Sequence, residues 1–327
     1  MIYDCFTFFN EIDLLEIRMN ILNEVVDRFV IVEATRTFSN HPKPLYFETN
    51  KDRFAAFSSK IIHLVVDDYP EFETAWTYEN HQRDCIERCL RGCNDNDLIL
   101  ISDLDEIPNP KTILEHQHDP GIIEFELLWS LYYLNYINIR NPVFKFGTQM
   151  LSYRDFKNGL DHIQNSRVGS LKKLNQGTTA TKIRLYKNAR HIRNGGWHFS
   201  YLGGMESIRD KIQAYSHQER NYEGNINLQN IEKRMRRHFE SHRLIGVELD
   251  ETYPLFIRNN QERYAHLIGP ITPKDEADKA RKIAWLMSYI DRSGYLISKL
   301  LTCLIPIKSW RKRARKYVDL HLFGQGW

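Results

Sequence analysis

The chain has 327 residues, enough for one large α/β domain with a tail. Hydrophobic residues at 42% and charged residues at 27% are ordinary for a packed globular protein and exclude a disordered or low-complexity chain. Lys and Arg number 45 against 42 Asp and Glu, and a net charge of +3 is too small to argue for nucleic acid as a partner.

In chain order, Ile2 to Phe9 is an apolar, aromatic run that suits a first strand, and it carries no secretory leader pattern. Asn10-Glu11 starts a helix in which Leu14, Leu15, Ile17, Ile21, Leu22 and Val25 keep a helical period. Phe29 to Val32 and Ile61 to Val66 read as buried strands, the second ending in Asp67-Asp68-Tyr69-Pro70. A polar helix is expected over Tyr78 to Arg91, followed by a strand at Leu98 to Ile101. Strands alternating with helices predict a mainly parallel central sheet, with ligands bound beyond the carboxyl ends of the strands. Glu33, Asp67-Asp68 and Ser102-Asp103 each follow a strand, so three acidic loops are expected on one rim.

The second half is less regular. Ile122 to Tyr136 suits one or two strands, and Gly195-Gly196 and Gly203-Gly204 bracket a loop containing Trp197 and His198. Pro270 and Pro273 mark a boundary between a domain at 1–270 and a helical, increasingly basic segment at 271–327. Five cysteines are a poor disulfide framework and fit a reducing compartment. Cys85, Cys89 and Cys93 repeat every four residues, a spacing that a soft-metal site shares with ordinary buried core thiols, and the core reading is preferred.

The sharpest local signal is Leu98-Ile99-Leu100-Ile101-Ser102-Asp103-Leu104-Asp105-Glu106-Ile107-Pro108, an apolar strand that delivers crowded carboxylates to a turn. Such groups are tolerated when a cation offsets their repulsion, and oxygen ligands select Mg²⁺ or Mn²⁺. Asp103 and Asp105 are therefore the candidate metal ligands. The ion they hold would absorb negative charge as a diphosphate departs.

With these residues in view, the chain resembles glycosyltransferase family 17. The likeness rests on four ordered blocks: Asp13-Leu14-Leu15-Glu16-Ile17-Arg18; Val30-Ile31-Val32-Glu33-Ala34 with Thr35 to Phe47; Asp103 to Pro108; and Gly196-Trp197-His198-Phe199-Ser200. It implies a metal-dependent GT-A fold, transfer with inversion at the anomeric carbon, and a UDP-sugar donor, UDP-N-acetylglucosamine first. The acceptor implied is a hydroxyl of a glycan or glycolipid. His198 is the expected third metal ligand, because GT-A enzymes recruit a ligand from well beyond the aspartate loop. Phe8, Asn10, Glu33 and Thr35 are expected to hold the donor's base and ribose. Arg83, near Glu79, Gln82 and Asp84, would meet phosphate or orient an aspartate, and Lys211, close to His217-Gln218-Glu219, would assist the leaving diphosphate. Glu206 is the first choice for the general base that inversion requires, with Asp161, Glu126 and Glu124 open. Trp197 and Tyr201 could stack on a sugar, though core packing is preferred.

From Ala280 onward, apolar residues precede Lys308, Arg311, Lys312, Arg313, Arg315 and Lys316. Packed amphipathic helices and a peripheral contact with an anionic membrane through 296–317 both fit this pattern, within a cytoplasmic location. Two other activities fit parts of the sequence. A haloacid-dehalogenase-type phosphotransferase would use Asp103 as nucleophile and Asp105 as acid, and a non-catalytic carbohydrate-binding module would bind sugar without donor cleavage.

Overall fold

The computed structural model describes residues 1–158, 179–186, 189–241 and 243–285. Within these, the elements in chain order are β1 (Ile2–Phe8), α1 (Ile12–Leu22), β2 (Arg28–Ala34), α2 (Tyr46–Asn50), β3 (Ile61–Val66), α3 (Ala75–Asp84), α4 (Ile86–Cys89), β4 (Leu98–Asp103), β5 (Glu106–Pro108) and α5 (Pro110–His116). There follow β6 (Ile123–Leu131), β7 (Tyr136–Asn138), β8 (Val143–Phe144), β9 (Gln149–Ser152), α6 (Tyr153–Asn158), α7 (Thr179–Arg184), β10 (Arg190–Ser200), α8 (Gly204–Ala214), α9 (Glu223–Ile226), α10 (Leu228–Glu240), β11 (Leu244–Gly246) and α11 (Leu255–Asn259).

The strands form one mixed sheet in the order β11-β7-β6-β9-β4-β1-β2-β3, with β10 beside β6 and β5, and β8 beside β6. The pairs β2–β3, β1–β2 and β1–β4 are parallel, as is β6–β10. Pairings to β5, β7, β8, β9 and β11 are antiparallel. The parallel half arises from the alternating strand and helix pattern of the first hundred residues, and β3 coincides with its expected span. The polar helix expected at 78–91 instead begins at Ala75 and is divided at Cys85 into α3 and α4.

Pleating sends alternate residues of β2 into two cores. Phe29 and Ile31 join α1, Phe47 and Phe54 on one face, while Val30 and Val32 join Cys85, Ile86 and Ile183 on the other. From α1, Leu14, Leu15, Ile17, Met19 and Leu22 are buried, at about 1.5–3 kcal/mol for each large aliphatic side chain.

The stretch after β11 returns across the first core. Tyr253, Ile257, Tyr264 and Leu267 are buried in it. Asn135 fixes its end, donating to Gly269 O at 2.8 Å and accepting from Gly269 N at 2.8 Å. Glu16 of α1 binds Arg263 at 2.5 Å and the Tyr264 hydroxyl at 2.9 Å, and also meets Arg53. Among the described residues no helix is long and apolar enough to cross a membrane. Residues 274–285 begin a helix, and the basic cluster and the 296–317 stretch lie outside the described residues.

Candidate active site

The aspartate turn is moulded from below by one arginine. Arg18 of α1 is fully buried and lies over the Phe6 ring, 4.6 Å from its centroid. Its guanidinium grips Asp4 of β1 through two bonds of 2.8 and 2.6 Å and donates to Ser102 Oγ at 2.6 Å. It also donates to the main-chain oxygens of Asp103 at 3.1 Å, Leu104 at 3.1 Å and Glu106 at 2.8 Å. One planar cation thus serves three carbonyls of the turn, of which that of Glu106 also accepts from Thr148 Oγ1 at 2.9 Å, and Asp4 neutralises it.

Above this support, the carboxylates of Asp103 and Asp105 open into a cavity of about 670 Å³, a size that suits a small-molecule ligand. Asp103 accepts from Arg83 at 3.1 Å and lies 3.8 Å from Arg184. Asp105 accepts from Lys211 at 2.9 Å and lies 3.5 Å from His198 Nε2. Lys211 also reaches Glu11 at 3.0 Å, Arg83 reaches Glu79 at 2.7 Å, and Arg184 reaches Glu106 at 2.8 Å. Burial opposes ionisation of both aspartates, but their cations prevail: Arg83 and Arg184 hold Asp103 below the usual carboxylate range, and Lys211 and His198 hold Asp105 well below it. Burial lowers Lys211, yet Asp105 and Glu11 outweigh it and leave the ammonium well above its ordinary value. Glu106 is the exception, its burial outweighing Arg184 and raising it to about 7.

His198 reaches this wall because β10 carries a kink. Gly196 has φ of 150°, and a Cβ there would fall 2.1 Å from the Ile107 carbonyl oxygen, so only glycine permits β5 and β10 to approach. The His198 ring lies parallel to Trp129 at 6.3 Å and against Phe144 at 4.2 Å. Its Nδ1 and the Nε of Arg83 are buried with no hydrogen-bond partner. Trp197 points the other way: it is 7% exposed, lies in the core and donates to Thr252 O at 3.0 Å, as the packing reading expected. Tyr201 lies with its ring 5.9 Å from the Lys211 ammonium.

Of the residues singled out from the sequence, Phe8, Arg83, Asp103, Asp105, His198 and Lys211 share the cavity wall. Glu33, Asn10, Thr35 and Glu206 are not on it. Glu33 is fully buried on the α1 face, where it accepts from Phe47 N at 3.2 Å, Lys43 at 3.4 Å and His63 at 3.1 Å. It therefore anchors the start of α2 and does not join an acidic rim. Thr35 bonds the Tyr69 hydroxyl at 2.9 Å and lines a shallower recess with Asp67. Asn10 serves the entry to α1, its carbonyl accepting from Ile12 N at 2.9 Å. Glu206 is exposed in the first turn of α8, five residues before Lys211 and so on a different side of the helix. Glu124 is buried with His191 at 2.9 Å and Gln149 at 3.2 Å, away from the wall, as is Glu126; Asp161 lies outside the described residues.

The roles of two arginines escaped the sequence reading. Arg184 closes α7, whose six residues show no periodic pattern, and Arg18 entered only as the last residue of the first family block, with no role assigned.

Residues 1–246 match the model of glycosyltransferase family 17. The human and rat beta-1,4-mannosyl-glycoprotein 4-beta-N-acetylglucosaminyltransferases are each 32% identical over 108 residues, covering 30% of this chain and 20% of those proteins. The match thus spans about a fifth of the length of these relatives. HddC from Yersinia pseudotuberculosis aligns at 8% identity and a TM-score of 0.34, over 61% of this chain and 90% of that one, too distant to carry an argument. On the extent of the family match, the chain belongs to glycosyltransferase family 17.

Proposed function

We propose that the protein is an inverting, metal-dependent glycosyltransferase of GT-A type that transfers N-acetylglucosamine from UDP-N-acetylglucosamine to a hydroxyl of a glycan or glycolipid. The observation that carries this reading is the meeting of Asp103 and Asp105 with Arg83, Arg184 and Lys211 in one cavity. Carboxylates for a cation and cations for a diphosphate are the pair of functions that a nucleotide-sugar donor requires. The names of the relatives support the choice of sugar, and family membership favours it over the phosphotransferase and the non-catalytic module.

Asp103, Asp105 and His198 supply two carboxylates and an imidazole, and that donor chemistry fits Mn²⁺ or Mg²⁺. When bound, such an ion supplies Lewis-acid stabilisation to the leaving diphosphate. The chain's own cations add to it: with the aspartates engaged, Lys211, Arg83 and Arg184 are released toward phosphate oxygens. Phe8 and Phe9 border the same space and suit the donor's base, and the exposed rings of Trp76 and Phe146 suit a sugar face. Deprotonation of the acceptor hydroxyl falls to a wall carboxylate outside the aspartate turn, Glu11 or Glu79, since Glu206 is displaced from the cavity.

The test is to incubate the protein with a panel of UDP-sugars, with and without Mn²⁺, and measure released UDP. Release confined to UDP-N-acetylglucosamine, dependent on the metal and lost in Asp105→Asn, is the expected result. Metal-independent release would remove the ion from the mechanism, and release from another sugar would replace the donor.

A further inference from the structure

A second cluster of metal-ligating side chains stands apart from the cavity. After β3 ends at Val66, the turn carries Asp68 against the far end of α3. His81 and Cys85 are four residues apart and so project one above the other toward it. Cys85 Sγ lies 3.7 Å from His81 Nε2, and Asp68 Oδ1 lies 3.9 Å from the same nitrogen. The three ligand atoms all fall within 4.8 Å of one another, the one such group among the described residues. None of the three lines the cavity of Asp103 and Asp105.

The nitrogen–sulfur separation is that of a tetrahedral site, and the nitrogen–oxygen one is about 0.5 Å longer. Metal bonds of about 2.0–2.1 Å to nitrogen or oxygen and about 2.3 Å to sulfur give nitrogen–sulfur edges of about 3.6 Å and nitrogen–oxygen edges of about 3.4 Å. A thiolate, an imidazole and one carboxylate form a softer set than the oxygen-rich cavity, and borderline Zn²⁺ suits it where Mg²⁺ and Mn²⁺ do not. Behind the carboxylate, Arg88 donates to both Asp68 oxygens at 2.8 and 2.7 Å, the kind of outer partner that orients a ligating carboxylate.

We propose that Asp68, His81 and Cys85 form a zinc site, completed by a water molecule, that braces α3. The same helix presents Glu79, Asn80, Gln82 and Arg83 to the cavity, so the ion fixes the element that positions Arg83 against Asp103. Loading exchanges the contact between His81 Nε2 and the Asp68 carbonyl oxygen, 2.5 Å, for a metal bond. A ligating cysteine binds as the thiolate, so loading also displaces the thiol proton.

The experiment is a Co²⁺ titration of the full, chelator-treated chain, followed by its absorption spectrum. A thiolate-to-cobalt charge-transfer band that saturates at one equivalent, is displaced by Zn²⁺, disappears in Cys85→Ser and persists in Cys93→Ser is the expected result. The carboxylate cavity contains no sulfur and gives no such band, so the outcome is independent of the proposed transfer reaction. Zn²⁺ should also raise the melting temperature of an Asp105→Asn chain, in which the carboxylate cavity is disabled while Cys85 is intact. Absence of the band in the wild type, or its survival in Cys85→Ser, overturns the assignment.

Discussion

The guanidinium of Arg18 donates to the main-chain oxygen of Glu106 at 2.8 Å, so a residue of α1 holds the far side of the turn that presents Asp103 and Asp105. Arg18→Lys keeps the charge but loses the planar fork that serves Asp4, Ser102 and three carbonyls at once. Stability should fall by about 1–3 kcal/mol, the usual cost of leaving buried acceptors without a donor, as read from urea unfolding. An unchanged midpoint would show that the turn supports itself.

Lys211 is the cation closest to Asp105. Lys211→Ala should lower transfer about 10²-fold, the scale of removing one transition-state donor. Lys211→Arg should retain part of it. If Lys211→Ala turned over at the wild-type rate, the diphosphate would have to be held by Arg83 and Arg184 alone.

Glu206→Gln should leave turnover within about twofold, the range expected of an exposed substitution away from the chemistry. Glu11→Gln and Glu79→Gln divide the question of the base: one should abolish transfer while preserving donor binding measured by calorimetry. Loss of activity in Glu206→Gln alone would restore that residue to the reaction and require α8 to turn.

Gly196→Ala places a methyl group against the Ile107 carbonyl at a backbone angle that side chains rarely adopt. A loss of about 1–3 kcal/mol is expected. Transfer should weaken too, since β5 carries Glu106 and β10 carries His198. A melting curve and a UDP-release assay on the same preparation measure both.

His238 is lowered from 6.5 to about 4 by burial and by Arg243, Arg234 and Arg237, and its Nδ1 lies 3.1 Å from the Tyr132 hydroxyl. The folded state keeps it neutral while the unfolded chain protonates it below about 6.5, so unfolding takes up a proton in that window. Stability should fall as pH drops from about 6.5 to 4, by up to about 1 kcal/mol per unit, and hold above it. His238→Gln should flatten that slope in denaturant titrations at several pH values.

Apolar runs made β1 to β4 legible, because buried parallel strands must be continuous in hydrophobic residues, and the Asp103–Asp105 turn followed from what such a strand delivers. Glu33 misled because position after a strand says nothing about face: the pleat that buries Phe29 and Ile31 buries Glu33 with them. An offset along the chain does not report the side of a helix, and Glu206 stands in the first turn of α8, away from the cavity that Lys211 lines. Arg184 was unreadable, since it gains its role only where α7 meets β4 and β5 across 80 residues of chain. His198 entered through the family resemblance, and the kink at Gly196 that brings it to the cavity beside Asp105 was not legible in the sequence.

The family match ends at residue 246, yet the molecule's interior does not. Trp197, one position from His198, rests its indole on the carbonyl of Thr252, and Glu16 of α1 spends its charge on Arg263 and Tyr264. Cutting the gene at the homology border would strip one wall from the hydrophobic interior and strand a carboxylate at its edge. A fragment that stops short of Gly269 should therefore emerge as inclusion bodies, while one that runs past it should stay in the soluble fraction of a lysate.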